Sequence, residues 1–143
     1  MPNNFKSCLE RKKIVVFSRG PKLVSKELKL ALEDLGYAKK AFKDKNYRWA
    51  IVQSYYSMFH SARSLLYVKK YREKSHYCLI EAIRELYVKT RQLSFLLIES
   101  LQKAKTLRED ADYYGEYTKL GAGEIIKKAE EFLKEAKRIL KKK

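Results

Sequence analysis

Apolar residues recur at three- and four-residue steps over most of the chain, which is the period of an amphipathic helix. The densest stretch runs from Asn46 to Tyr77. Within it, Trp49, Val52, Tyr56, Phe59, Arg63 and Leu66 share one face. Ala50, Ser54, Ser57 and Ser61 form a second face of small residues, over which another helix can approach closely. Tyr55, Met58, Ala62 and Leu65 form a third. A helix that is apolar or small on most of its circumference belongs at the centre of a fold. This one is expected to run from about Tyr47 to Lys70, after a polar turn at Asp44–Lys45–Asn46.

The same period predicts the flanking elements. Asn3 or Asn4 can cap a short helix through Glu10, and Ile14–Phe17 is an apolar clip too short and isolated to pair as a strand. Gly20–Pro21 reads as a break. Ser25 then caps a helix of about 18–20 residues whose buried face is Leu28, Leu32, Leu35, Ala38 and Ala41/Phe42. Tyr71–Lys74 is a connection, and Ser75 caps a third helix with Cys78, Leu79, Ala82, Ile83 and Leu86 inward. A loop over 88–92 leads to a fourth helix carrying Leu93, Leu97, Leu101, Ala104, Leu107/Arg108 and Ala111, which Tyr113–Tyr114–Gly115 ends. Gly115 to Gly123 reads as a loop. The last helix, with Ala122, Ile125/Ile126, Ala129, Phe132/Leu133, Ala136 and Ile139/Leu140, has the cleanest period. Its Lys-rich end suits the negative pole of the helix dipole. The expectation is an all-α fold, an antiparallel up-and-down bundle of four long helices with short N-terminal elements. Residues 1–21 would be a basic lead-in and 22–143 the bundle.

Composition adds partners rather than fold. The chain of 143 residues has Lys+Arg 33 against Asp+Glu 17, a formal net charge of +16. Such a charge attracts nucleic acid or an acidic protein. A Lys- and Glu-rich surface also suits a heat-loving organism, but that habit adds both signs. No apolar run approaches a membrane span and no secretory leader is evident, so a cytoplasmic protein is expected. Cys8 and Cys78 lie far apart with no metal-ligand spacing, and read as two idle thiols in a reducing compartment. No metal or other cofactor is expected.

Two groups could carry chemistry. His60 and Arg63 sit a turn apart on the central helix. They either grip a phosphate or base, or tie helices or subunits together, with Asp112, Glu81 and Glu85 as candidate counter-ions for the arginine. His76 opens a helix just after Lys69, Lys70, Tyr71, Arg72 and Lys74. Backbone N–H groups at a helix start and nearby cations attract phosphate. There, an imidazole could take a proton from a ribose 2′-OH while Arg72 stabilises charge on phosphorus. The plainer alternative is a solvated basic turn.

The runs YRWA (47–50), YYSMFHSARSLLY (55–67), YREKSH (71–76) and RxxADYYG (108–115) together resemble the HEPN domain family, over roughly residues 23–140. The resemblance implies an antiparallel helical bundle, usually a homodimer, often paired with a minimal nucleotidyltransferase acting as antitoxin. Several groups of the family are RNA-cutting toxins whose motif is Arg, four to six residues, then His. Three residues separate Arg72 from His76, and Tyr77 follows the histidine directly. The resemblance thus implies His76 and Arg72 as catalytic residues, with Lys69, Lys70, Tyr71 and Lys74 binding RNA or nucleotide. A non-catalytic dimeric partner that docks the transferase is the alternative.

Overall fold

The computed structural model describes residues 4–141 and is all-α apart from one short β-pair. Its elements are α1 (Asn4–Glu10), β1 (Ile14–Val16), α2 (Gly20–Lys43), α3 (Tyr47–Tyr67), β2 (Tyr71–Glu73), α4 (His76–Ile83), α5 (Phe95–Tyr113) and α6 (Lys119–Lys141). α4 runs on into a wider π-helical turn, Arg84–Val88. The four long helices α2, α3, α5 and α6 alternate in direction, and α3 packs against α2, α4, α5 and α6. The central position expected for it is therefore observed. Fourteen of its 21 residues are buried.

Close packing follows from the small face of α3. Ser54, Ser57, Ser61 and Ser64 are fully buried, and the Ser57 hydroxyl donates to the Ala31 carbonyl of α2 at 2.8 Å. The α2 face that meets it is Glu27, Ala31, Leu35 and Ala38. The expected stripe through Leu28 and Leu32 is thus rotated, and Leu32 is left exposed. Small side chains win that face because two backbones meet there, and a row of leucines would hold them apart. α2 also starts earlier than a cap at Ser25 would place it. Gly20–Pro21 opens the helix instead of breaking it, with Pro in the first turn, where its missing N–H costs nothing. Gly20 is required for packing: a Cβ there would lie 2.4 Å from the Tyr67 carbonyl oxygen.

Asn46 and Ser75 cap α3 and α4, accepting from the backbone N–H of Trp49 and Cys78. The loop before α6 spans only 114–118, because Lys119–Gly123 is already helical. Asn3 and the last two lysines lie outside the described residues.

Two expectations at the N-terminus are corrected. Ile14–Val16 does pair: it runs antiparallel to Tyr71–Glu73, with Val15 opposite Arg72. Three residues suffice because Ile14 is buried in the core and the hairpin is anchored beyond its ends. Phe17 N–H donates to Lys70 O, and Lys74 N–H to Lys13 O. Nor are the cysteines idle thiols. α1 lies against α4, bringing Cys8 and Cys78 to a Cα separation of 5.8 Å, and they form a disulfide. Their sequence separation of 70 says nothing about distance once the chain has folded back on itself.

A cross-link that closes so long a loop restricts the unfolded chain strongly. Cys78→Ser, or reduction, is expected to cost about 2–4 kcal/mol, read as a lower urea midpoint with a steeper slope, because the unfolded chain is then less compact. An identical midpoint with and without reductant would contradict this.

Candidate functional site

β2 and the start of α4 hold the predicted residues, and strand alternation sorts them. Side chains 71 and 73 point one way and 72 the other. Glu73 faces α3, is 7% exposed, and accepts from Arg63 Nη2 at 2.6 Å. Arg63 also reaches Glu27 of α2, from Nη1 to Oε1 at 3.5 Å, and lies over the Phe59 ring at 4.4 Å. His60 Nδ1 is 2.9 Å from the same Glu27, and its Nε2 is 3.7 Å from Asp34. The counter-ions of Arg63 are thus Glu73 and Glu27, not Asp112, Glu81 or Glu85. Asp112 instead pairs with Arg48 and Arg108, each at 3.8 Å. Burial works against the charge on Arg63, but the hydrogen bond and charge of Glu73 outweigh it and hold its pKa above the ordinary value. Burial lifts the Asp34 carboxyl above the usual range, partly offset by His60.

His76 sits in an aromatic cradle. Its ring lies 4.5 Å from the Phe59 ring and stacks on Tyr55 at 5.7 Å between centroids. Its Nδ1 is 2.5 Å from Tyr55 Oη. Burial in this cradle lowers its pKa below 6.5, and the charge of Arg108 lowers it further. Lys105 and Arg63 act in the same direction, and Glu73 opposes them. Burial pushes the Tyr55 hydroxyl far up, so it remains protonated.

The cations facing His76 therefore come from α5 and α3. Arg108 lies over the Tyr55 and Tyr56 rings at 5.5 and 5.6 Å and donates to Tyr56 Oη at 3.1 Å. Its Nε is buried without a hydrogen-bond partner. Arg72 stands on the other side of the hairpin, over the Phe17 ring at 5.4 Å. Tyr71 is half-buried edge-on against Phe5, and Lys69 lies over Tyr87. Lys70 and Lys74 are exposed on the turn that leads to His76. Periodicity had no means of finding Arg108, Lys105 and Tyr55 as neighbours of His76, because they lie 21 to 32 positions away in the chain. The one signal was Arg108 in the RxxADYYG run. No group of side chains among the described residues is arranged to hold a metal ion, and no helix is long and apolar enough to cross a membrane.

Removing Glu73 would leave Arg63 without its short hydrogen bonds and with Glu27, at 3.5 Å, as its remaining counter-ion. Glu73→Ala is expected to destabilise the fold by about 3 kcal/mol, read by urea unfolding. A loss below about 1 kcal/mol, the size of an exposed pair, would show that the pair is not structural. His76 gives a pH signature. Its neutral form is favoured in the fold, so its contribution is complete above the unfolded pKa of 6.5 and is lost as the pH falls through that value. His76→Phe should flatten this part of the stability profile.

Comparison with known proteins agrees with this architecture. The HEPN domain matches residues 24–140. A Methanocaldococcus jannaschii protein named "Putative toxin MJ0605" is 34% identical over 115 residues, covering 80% of this chain and 86% of that protein. A second from the same organism, "Putative toxin MJ0142", is 28% identical over 119 residues, covering 82% and 81%. A "UPF0332 protein" of Archaeoglobus fulgidus is 34% identical over 111 residues, covering 73% and 85%. With the family matched over most of its length and a helical bundle built around the same central helix, the chain belongs to the HEPN domain family.

Proposed function

We propose that this chain is a toxin-type HEPN protein that cleaves RNA without a metal ion, with His76 as the base. The observation that carries the reading is the His76 imidazole held on Tyr55 and Phe59, with Arg108 over the Tyr55 ring and its buried Nε without a hydrogen bond in the protein. A lowered pKa keeps His76 neutral near pH 7 and ready to accept a proton. With its ring proton on Nδ1, donated to Tyr55 Oη, the base is Nε2. Nε2 takes the proton of a ribose 2′-OH. The 2′-oxygen then bonds to the adjacent phosphorus, and the bond from phosphorus to the 5′-oxygen breaks. The departing oxygen regains a proton, leaving a 2′,3′-cyclic phosphate and a 5′-hydroxyl.

Arg108 and Lys105 stabilise the charge that builds on the phosphoryl oxygens. Arg72, Lys70 and Lys74 bind neighbouring phosphates, as the net charge of +16 favours. The relatives' names support the toxin reading, and a partner that restrains the activity goes with it. The family resemblance suggests a nucleotidyltransferase in that role, and a homodimer that sets two His76 turns beside one another.

The test is cleavage of a mixed-sequence RNA in EDTA. His76→Ala is expected to slow it about 10²–10⁴-fold and Arg108→Ala about 10²-fold or more, with Arg72→Ala milder than either. The acid limb of kcat/KM should fall below pH 6.5, because a lowered pKa keeps the base form present at lower pH. Equal cleavage by wild type and His76→Ala, or none by either, overturns the catalytic reading. A complex with a transferase that forms without any RNA binding would then favour the docking role.

A further inference from the structure

Beyond Tyr47 and Arg48 in its first turn, α3 is buried except along one line. Trp49, Gln53, Tyr56, His60 and Arg63 follow one another at steps of four and three residues and are the part of α3 that stays open between α2 and α5. The lower half of this seam is the ion-pair network and the Tyr56–Arg108 contact. The upper half is not explained by packing. There the only tryptophan of the chain is 49% exposed, and Tyr37 of α2 is 59% exposed. Both line one pocket of about 310 Å³, together with the amide of Gln53, the ammonium of Lys40 and the carboxylate of Asp44. Leaving two large aromatic faces in water forgoes the stabilisation that burial would give.

We propose that this pocket is a subsite for one unpaired nucleobase, and that the open seam of α3 is the track from it to His76. The proposal rests on the RNA reading for its ligand class and adds the site that holds the base. The chemistry fits a base. Aromatic faces stack on any base, an amide and a carboxylate pair with its edge, and Lys40 meets its phosphate. The spacing fits as well. Trp49 and Tyr56 are seven positions apart on the same seam, about 10 Å, within the span of a dinucleotide, and Tyr56 packs on Tyr55, which holds His76. The subsite would choose the unpaired base next to the cleaved linkage, which makes the chain selective for single-stranded RNA.

Because Trp49 is the sole tryptophan, its fluorescence reports on the subsite directly. The whole chain carrying His76→Ala, which cannot consume the probe, is titrated with short oligouridylate and oligoadenylate. Each should quench Trp49 saturably. An abasic oligonucleotide and heparin, which carry charge without bases, should bind with little quenching. Tyr37→Ala and Gln53→Ala should each weaken oligonucleotide binding about ten-fold or more, read by anisotropy of a labelled oligonucleotide. Both positions are at the surface, and unchanged thermal melting confirms the fold. Equal quenching by the abasic probe, or tight oligonucleotide binding with Trp49 emission unchanged, overturns the subsite. So does a blue shift of Trp49 emission with rising protein concentration, which would mean that another copy covers it. Cleavage by the wild type in EDTA is measured separately. Base-dependent quenching without cleavage leaves the subsite standing and removes the catalytic reading, and cleavage without such quenching does the reverse.

Discussion

Arg63 and its two buried carboxylates constrain the whole molecule. Taking three charges out of water costs several kcal/mol each unless they are paired with good geometry. Here the cation has only one arrangement that satisfies it: Glu73 at 2.6 Å on β2 and Glu27 at 3.5 Å on α2. These contacts fix the hairpin against the central helix. Three residues beyond Glu73 the chain enters α4 at His76, so the same contacts decide where the imidazole stands relative to Tyr55 and Phe59. The disulfide between α1 and α4 holds the other side of that helix. His76 is thus positioned from both flanks by contacts that have no chemical part in the proposed reaction.

The network also divides the charge of the seam. Glu27, Asp34 and Glu73 sit around His60 and Arg63, so the basic character of that part of α3 is largely neutralised within the protein. Arg108 is placed differently. Its nearest acid, Asp112, is 3.8 Å away and is shared with Arg48, and its firm contact is with the neutral hydroxyl of Tyr56. A cation held mainly by aromatic faces keeps most of its field for whatever binds next to it. This separates the two polar pairs that the helix periodicity alone leaves alike: one is closed by carboxylates, the other open.

Helix existence and order were legible because burial on one face imposes a period that survives in any sequence. Thus α3, α5 and α6, the caps at Asn46 and Ser75, and the bundle itself could be read directly. Which face of α2 is buried could not. Leu28 and Leu32 outweigh Ala31 and Glu27 on any apolar scale, yet close approach to Ser57 selects the smaller side chains. Ile14–Val16 was illegible for a related reason: a three-residue strand has no period, and its partner, Tyr71–Glu73, is visible only in space. The Cys8–Cys78 bond and the Arg63–Glu73–Glu27 cluster are likewise contacts across the fold. His76 stood out in the sequence at a helix start after a run of cations, and the family resemblance pointed to the same residue, while Arg108 lies 32 positions further along the chain.

That last point gives the short Arg72–His76 spacing a physical meaning. Along β2 side chains alternate, so a residue at 71 or 73 faces α3 and a residue at 72 faces away. An arginine separated from the histidine by four residues, the shortest form of the family's ribonuclease motif, would fall at 71, on the side of Glu73 and the seam. In this chain that position holds Tyr71, packed on Phe5, while Arg72 is turned toward Phe17. Loss of one residue from the spacing therefore reverses the side on which the arginine stands instead of moving it slightly. The cation on the seam side is Arg108, fixed by Tyr55 and Tyr56 on the very helix that holds His76. In the proposed reaction a cation supplied by α5 does what the strand position would do elsewhere.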